Sequence, residues 1–140
     1  MADGLKGLAA ALLLAVAGVA VGQTQELCFA NRGLRDEDRV YLTINGSQVE
    51  GRYVILREYD AQKTESHAFV GTKTGNALTV RFAPGKMPEG LPQSNDNHGW
   101  ALHTVSGKAA LNIRRYGKNY NTQQFSTYDA VYEPCADGSR

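Results

Sequence analysis

Arg39-Val40-Tyr41-Leu42-Thr43-Ile44-Asn45-Gly46-Ser47-Gln48-Val49-Glu50-Gly51-Arg52-Tyr53 is the stretch that decides the fold class. Val40, Leu42 and Ile44 alternate with Arg39, Tyr41 and Thr43, the two-residue period of a strand with one face buried. Asn45-Gly46 tolerates the positive φ that a type I′ hairpin turn demands. A return strand runs over residues 48–59, with Val49, Tyr53 and Ile55 on one face, Glu50, Arg52 and Glu58 on the other, and Gly51 suited to a bulge or bend. Asn45-Gly46-Ser47 also has the form of an N-glycosylation sequon. The hairpin alone accounts for the first two of those residues.

Outward from this hairpin the same period continues. Residues 61–66 read as a polar turn, 67–72 as a third strand, and Gly75-Asn76 leads into a fourth in which Leu78, Val80 and Phe82 alternate with Thr79 and Arg81. The pattern then stops. Residues 84–98 carry Pro84, Pro88 and Pro92 and read as a long loop, a length that in compact domains often serves function. Its apolar residues Met87 and Leu91 suit a flap over a cavity mouth, edged by His98 and Trp100. Beyond it, Trp100, Leu102 and Thr104 and then Ala109, Leu111 and Ile113 form a second hairpin around Ser106-Gly107.

The final segment is read differently. Phe125, Tyr128 and Tyr132 recur at three- and four-residue steps between Asn121, a candidate cap, and Pro134, which predicts a short C-terminal helix with its aromatic stripe packed on the core. The expected architecture is therefore mostly β: a single-domain antiparallel meander of six strands, closed into a small β-barrel or folded as a two-layer sandwich, with that helix at its end.

Residues 1–22 have the three parts of a secretory signal peptide: Lys6, the uncharged run 8–21, and small residues up to Gly22. The run is 14 residues long, short of the roughly 20 a membrane-spanning helix needs, so no stable membrane anchor is expected. The leader places the mature domain, residues 23–140, outside the cytoplasm, secreted or periplasmic. Cys28 and Cys135 are the only cysteines. In an oxidising compartment they are expected to pair, which brings the two ends of the domain together.

Fifteen basic and fourteen acidic residues leave a net charge of +1, which argues against a nucleic-acid partner. The local cluster Arg114, Arg115 and Lys118 reads as a solvated strand end. His67, His98 and His103 lack metal-site spacing, and neither cysteine has a histidine nearby, so no metal or other cofactor is expected. No Gly-x-Ser-x-Gly elbow or P-loop occurs, and no catalytic residue is assigned.

Val49-Glu50-Gly51, Phe69-Val70-Gly71-Thr72 and Gly75-Asn76-Ala77-Leu78-Thr79-Val80 together resemble the sheet patterns of small exported calycin-type barrels, the group that includes lipocalins. The Gly-x-Trp signature of lipocalins is absent. The leader, the alternation and the loop from Pro84 to Trp100 together lead to the first expectation: a non-enzymatic exported β-barrel whose cavity or mouth holds a small ligand near Met87, Leu91, His98 and Trp100. A second expectation is an exported protein that binds a secreted enzyme, for example as a lysozyme inhibitor, with the 84–98 loop as its plug. A third is a small hydrolase using Asp96 and His98.

Overall fold

In the computed structural model, which describes residues 24–94 and 96–136, the chain is an eight-stranded antiparallel barrel. Its strands are β1 (Thr24–Arg32), β2 (Glu37–Asn45), β3 (Gln48–Leu56), β4 (Thr64–Thr74), β5 (Ala77–Phe82), β6 (Asp96–Val105), β7 (Lys108–Asn119) and β8 (Gln124–Pro134). Each pairs with the next, and β8 returns to β1. The predicted leader lies outside the described residues. Among those described, no helix is long and apolar enough to cross a membrane.

The alternation read in β2 and β3 sets the inside of the barrel. Val40, Leu42, Ile44, Val49, Tyr53 and Ile55 are all buried in one core with Phe69, Leu78, Val80, Phe82, Leu111 and Ile113. The first hairpin is offset by one residue from its expected form. Asn45 pairs with Gln48, so Gly46 and Ser47 make the turn, and only Gly46 has positive φ, the pattern of a type II′ rather than a type I′ turn. Gly51 carries no bulge; the register runs straight through it. A Cβ there would lie 1.9 Å from the Tyr41 carbonyl oxygen, so glycine allows the neighbouring strand to close in.

The expected C-terminal helix is a strand. Residues 124–134 form β8, paired with β7 from Leu111↔Tyr132 to Asn119↔Gln124. Nine cross-strand pairs outweigh a three- and four-residue spacing, because strand preference depends on which neighbours are available. The candidate cap, Asn121, sits instead in the turn of this hairpin, where the Asn119 side chain accepts from the backbone N–H groups of Asn121 and Thr122. The expected six strands become eight with β1 and β8. The long loop is also shorter than expected, because β6 begins at Asp96 and carries His98.

The seam between β1 and β8 is narrow. Its register holds two pairs, Phe29↔Pro134 and Ala30↔Glu133, flanked by a Cys135 N–H to Cys28 carbonyl bond of 3.0 Å. The predicted Cys28–Cys135 disulfide lies at this position, with its Cα atoms 5.4 Å apart. Three tight turns, β2–β3, β4–β5 and β6–β7, gather at one end of the barrel. The four other connections gather at the opposite end.

Candidate functional site

That opposite end is closed by the β5–β6 connection, described over residues 83–94. Pro88 and Leu91 are buried and Met87 packs against the core, so the loop enters the barrel end rather than arching over an opening. Burying one leucine in this way is worth about 1.5–3 kcal/mol. Polar contacts hold the loop from several sides. His67 Nδ1 is 3.0 Å from the Lys86 carbonyl oxygen, Arg57 Nη2 reaches Glu89 at 2.9 Å, and the Tyr116 N–H donates to the Gly90 carbonyl at 2.9 Å. Arg57 also binds Glu65 at 2.8 Å and Asp36 at 3.2 Å, so one guanidinium ties three connections together.

Under the loop lies a buried polar cluster. Asp38 accepts from the Tyr53 hydroxyl, the Tyr53 and Tyr132 hydroxyl oxygens are 2.6 Å apart, and Arg115 Nη1 lies 3.1 Å from Asp38 and 3.2 Å from the Tyr132 oxygen. Arg114, Arg115 and Lys118 therefore do not form one solvated strand end. Arg114 pairs outside with Asp129, whereas the Arg115 side chain is only 17% exposed. Gly90, at φ +93°, makes room for it, since a Cβ there would sit 2.4 Å from Arg115 Nη2.

Burial lifts the Asp38 carboxyl above its ordinary 3.8, against the opposing pull of Tyr53 and Arg115. Burial also pushes Tyr132 up to about 12 and Tyr53 well above 10. Because Asp38 binds its proton more tightly in the folded chain, its stabilising contribution is complete below 3.8 and is lost as pH rises through the folded value. Asp36 and Glu65 have the reverse sign. The Glu58 backbone N–H and the Arg57 guanidinium respectively hold them low, so their stabilisation fades on acidification. These two cancel when wild type is compared with Asp38→Asn. The wild type should therefore lose stability relative to the variant as pH rises from 3.8. Urea midpoints of both proteins across the acid range check this, and a flat or opposite difference contradicts it.

Of the residues expected to line a mouth, Met87, Leu91 and Trp100 lie in or against the core and only His98 lies apart. Leu91 and Trp100 are each 1% exposed, and the Trp100 ring packs edge-to-face on Phe69 at 5.3 Å between centroids. His98 is exposed on β6, its Nδ1 3.3 Å from Thr79 Oγ1. Asp96 is engaged by Arg81 at 2.7 Å. Among the described residues, no three His, Cys, Asp or Glu side chains converge to hold a metal.

The apolar surface left in water is elsewhere. β6 pairs with β7 only as far as Trp100↔Ile113, and β1 meets only the last residues of β8, so the β7–β8 hairpin runs on past the barrel end. On it Tyr116, Tyr120, Phe125 and Tyr128 are 42%, 80%, 59% and 49% exposed. The Tyr116 and Phe125 rings stack at 5.6 Å and 22°. With Met87, Gln93 and Lys118 these side chains border an open groove of about 790 Å³ between hairpin and loop. Sequence reasoning placed Phe125, Tyr128 and Tyr132 together on a core stripe; only Tyr132 is in the core. The available signal was the crowding of Tyr116, Tyr120, Phe125 and Tyr128 around one polar turn, with no apolar partners spaced to cover them.

Compared with models of known protein families, with characterised proteins and with solved structures, the chain matches none.

Proposed function

We propose that this is an exported, non-enzymatic interaction protein that grips a macromolecular partner with the β7–β8 hairpin and the groove beside it. One contrast supports the reading. The barrel end where a small ligand would enter is filled by Pro88 and Leu91, while four aromatic side chains stand in water on a single projecting hairpin. Clustered exposed aromatics on a monomer mark an interaction surface, and tyrosines anchor many protein interfaces. The paired cysteines are compatible with an oxidising compartment. Secreted hydrolases, lysozyme among them, are the first partners to test.

Such a partner should bind the wild type and lose at least about tenfold in affinity with Tyr120→Ala/Phe125→Ala, the loss expected for removing an anchor at a contact centre. Both side chains are largely exposed, so thermal stability should stay nearly unchanged. Fatty acids and other apolar probes should not bind inside the barrel. One-to-one uptake of such a probe, altered by Leu91→Ala, would overturn the reading in favour of a small-ligand barrel.

A further inference from the structure

We propose that the groove receives an extended peptide segment of the partner that carries an acidic residue, added as a further strand to β7 at residues 117–119. This rests on the reading of the protein as an interaction protein and names how it recognises its partner. The backbone provides the first argument. Past Ile113, β7 has a strand on one side only, through the pairs that run to Asn119↔Gln124. On its other side the Gly90 carbonyl accepts from the Tyr116 N–H, and the loop then turns away into the barrel end. Alternate residues of an antiparallel ladder face the same neighbour. The Lys118 N–H and C=O therefore point the same way as those of Tyr116, and among the described residues nothing pairs with them. The loop supplies one rung of a ladder and leaves the next open, which is the geometry of strand addition.

Side chains provide the second argument. A strand laid beside β7 presents its residues alternately to two faces. One face meets the stacked Tyr116 and Phe125 rings. The other meets Tyr128, whose ring covers Gly117 so closely that a Cβ there would lie 3.3 Å from its Cε1. Aromatic contacts across neighbouring strands favour such pairing.

Charge selects the occupant. Glu89, across the groove, shares the Arg57 guanidinium with Asp36 and Glu65, and Arg114 pairs with Asp129. Lys118 has no carboxylate partner among the described residues, so its ammonium is open to a carboxylate brought by a ligand. An acidic residue on the incoming segment compensates it. The same lysine works against pairing with this edge of a second copy, where like charges would meet.

The test is selection of random linear heptapeptides displayed on phage against the mature protein. Enriched peptides should alternate apolar and polar residues around an Asp or Glu and shift the Gly117 and Lys118 amide resonances. They should weaken about tenfold or more with Lys118→Glu, or when a peptide amide facing β7 is N-methylated, because each change removes a hydrogen bond or charge contact. Absence of enrichment, or peptides indifferent to both changes, overturns the proposal. So does chitohexaose or cellohexaose shifting the same amides when no peptide does; that result identifies a glycan site and leaves the hairpin as the binding surface. If a partner instead binds Tyr120→Ala/Phe125→Ala as well as wild type, the reading of the hairpin itself fails.

Discussion

Replacing Cys28 and Cys135 together by serine should lower the melting temperature by about 15–20 °C. The disulfide closes a separation of 107 residues, and in the chain-entropy account a loop of about 100 residues stabilises a fold by roughly 4.7 kcal/mol. Each kcal/mol corresponds to roughly 4 °C in a domain of this size. The position of the bond adds to its importance. It lies beside a seam of two registered pairs, Phe29↔Pro134 and Ala30↔Glu133, whereas β1 and β2 share nine. Without the bond, β1 and β8 are the strands held least well on one side, so hydrogen exchange should rise first in β8 residues 129–133 and in β1 residues 28–30. Thermal unfolding and exchange measured on the double variant check both statements. An unchanged melting temperature with unchanged protection at the seam would show that the strands alone close the barrel.

The second large effect is expected for Arg115→Leu, at about 3–5 kcal/mol near neutral pH, the usual cost of removing one partner of a buried charge pair. The guanidinium serves two structures at once. It faces Asp38 and Tyr132 in the interior, and its Nε lies 3.4 Å from the Gly90 carbonyl oxygen of the closing loop. Its loss leaves the Asp38 carboxylate desolvated and loosens the loop. The neighbouring Tyr116 N–H should then exchange faster. Adding Asp38→Asn should restore much of the stability, because neutral replacement of a buried ion pair is often nearly neutral overall. If the double variant is as unstable as Arg115→Leu alone, packing by the arginine stem rather than charge carries the effect.

The difference between what could and could not be read in the sequence has a physical origin. In β2 and β3 one face is buried and the other wet, so composition alternates and Val40, Leu42, Ile44, Val49 and Tyr53 disclose both strand and core. β8 is exposed along most of its length, and among its side chains Tyr132 alone is fully buried. No alternation is imposed on it. Its strand state comes from β7, whose free side offers the ladder, a fact of long-range pairing that local spacing does not record. The candidate groove was illegible for the same reason. Tyr116 and Phe125 are ordinary aromatic residues in sequence, and they become a platform because β6 stops pairing at Ile113 while the hairpin continues. Leu91, in contrast, was legible as an apolar residue in a polar loop. Its direction, into the core, was not.

The disulfide also determines how the molecule bears tension. Cys28 and Cys135 lie side by side, so a pull on the segments flanking them passes through one covalent bond and bypasses the strands in between. Pulled at Cys28 and Cys135 themselves, the oxidised domain does not lengthen, because the covalent bond carries the load. Reduction releases a tether of 107 residues, roughly 360 Å when drawn out. The β7–β8 hairpin lies within that loop and is shielded from such a load for as long as the bond is intact.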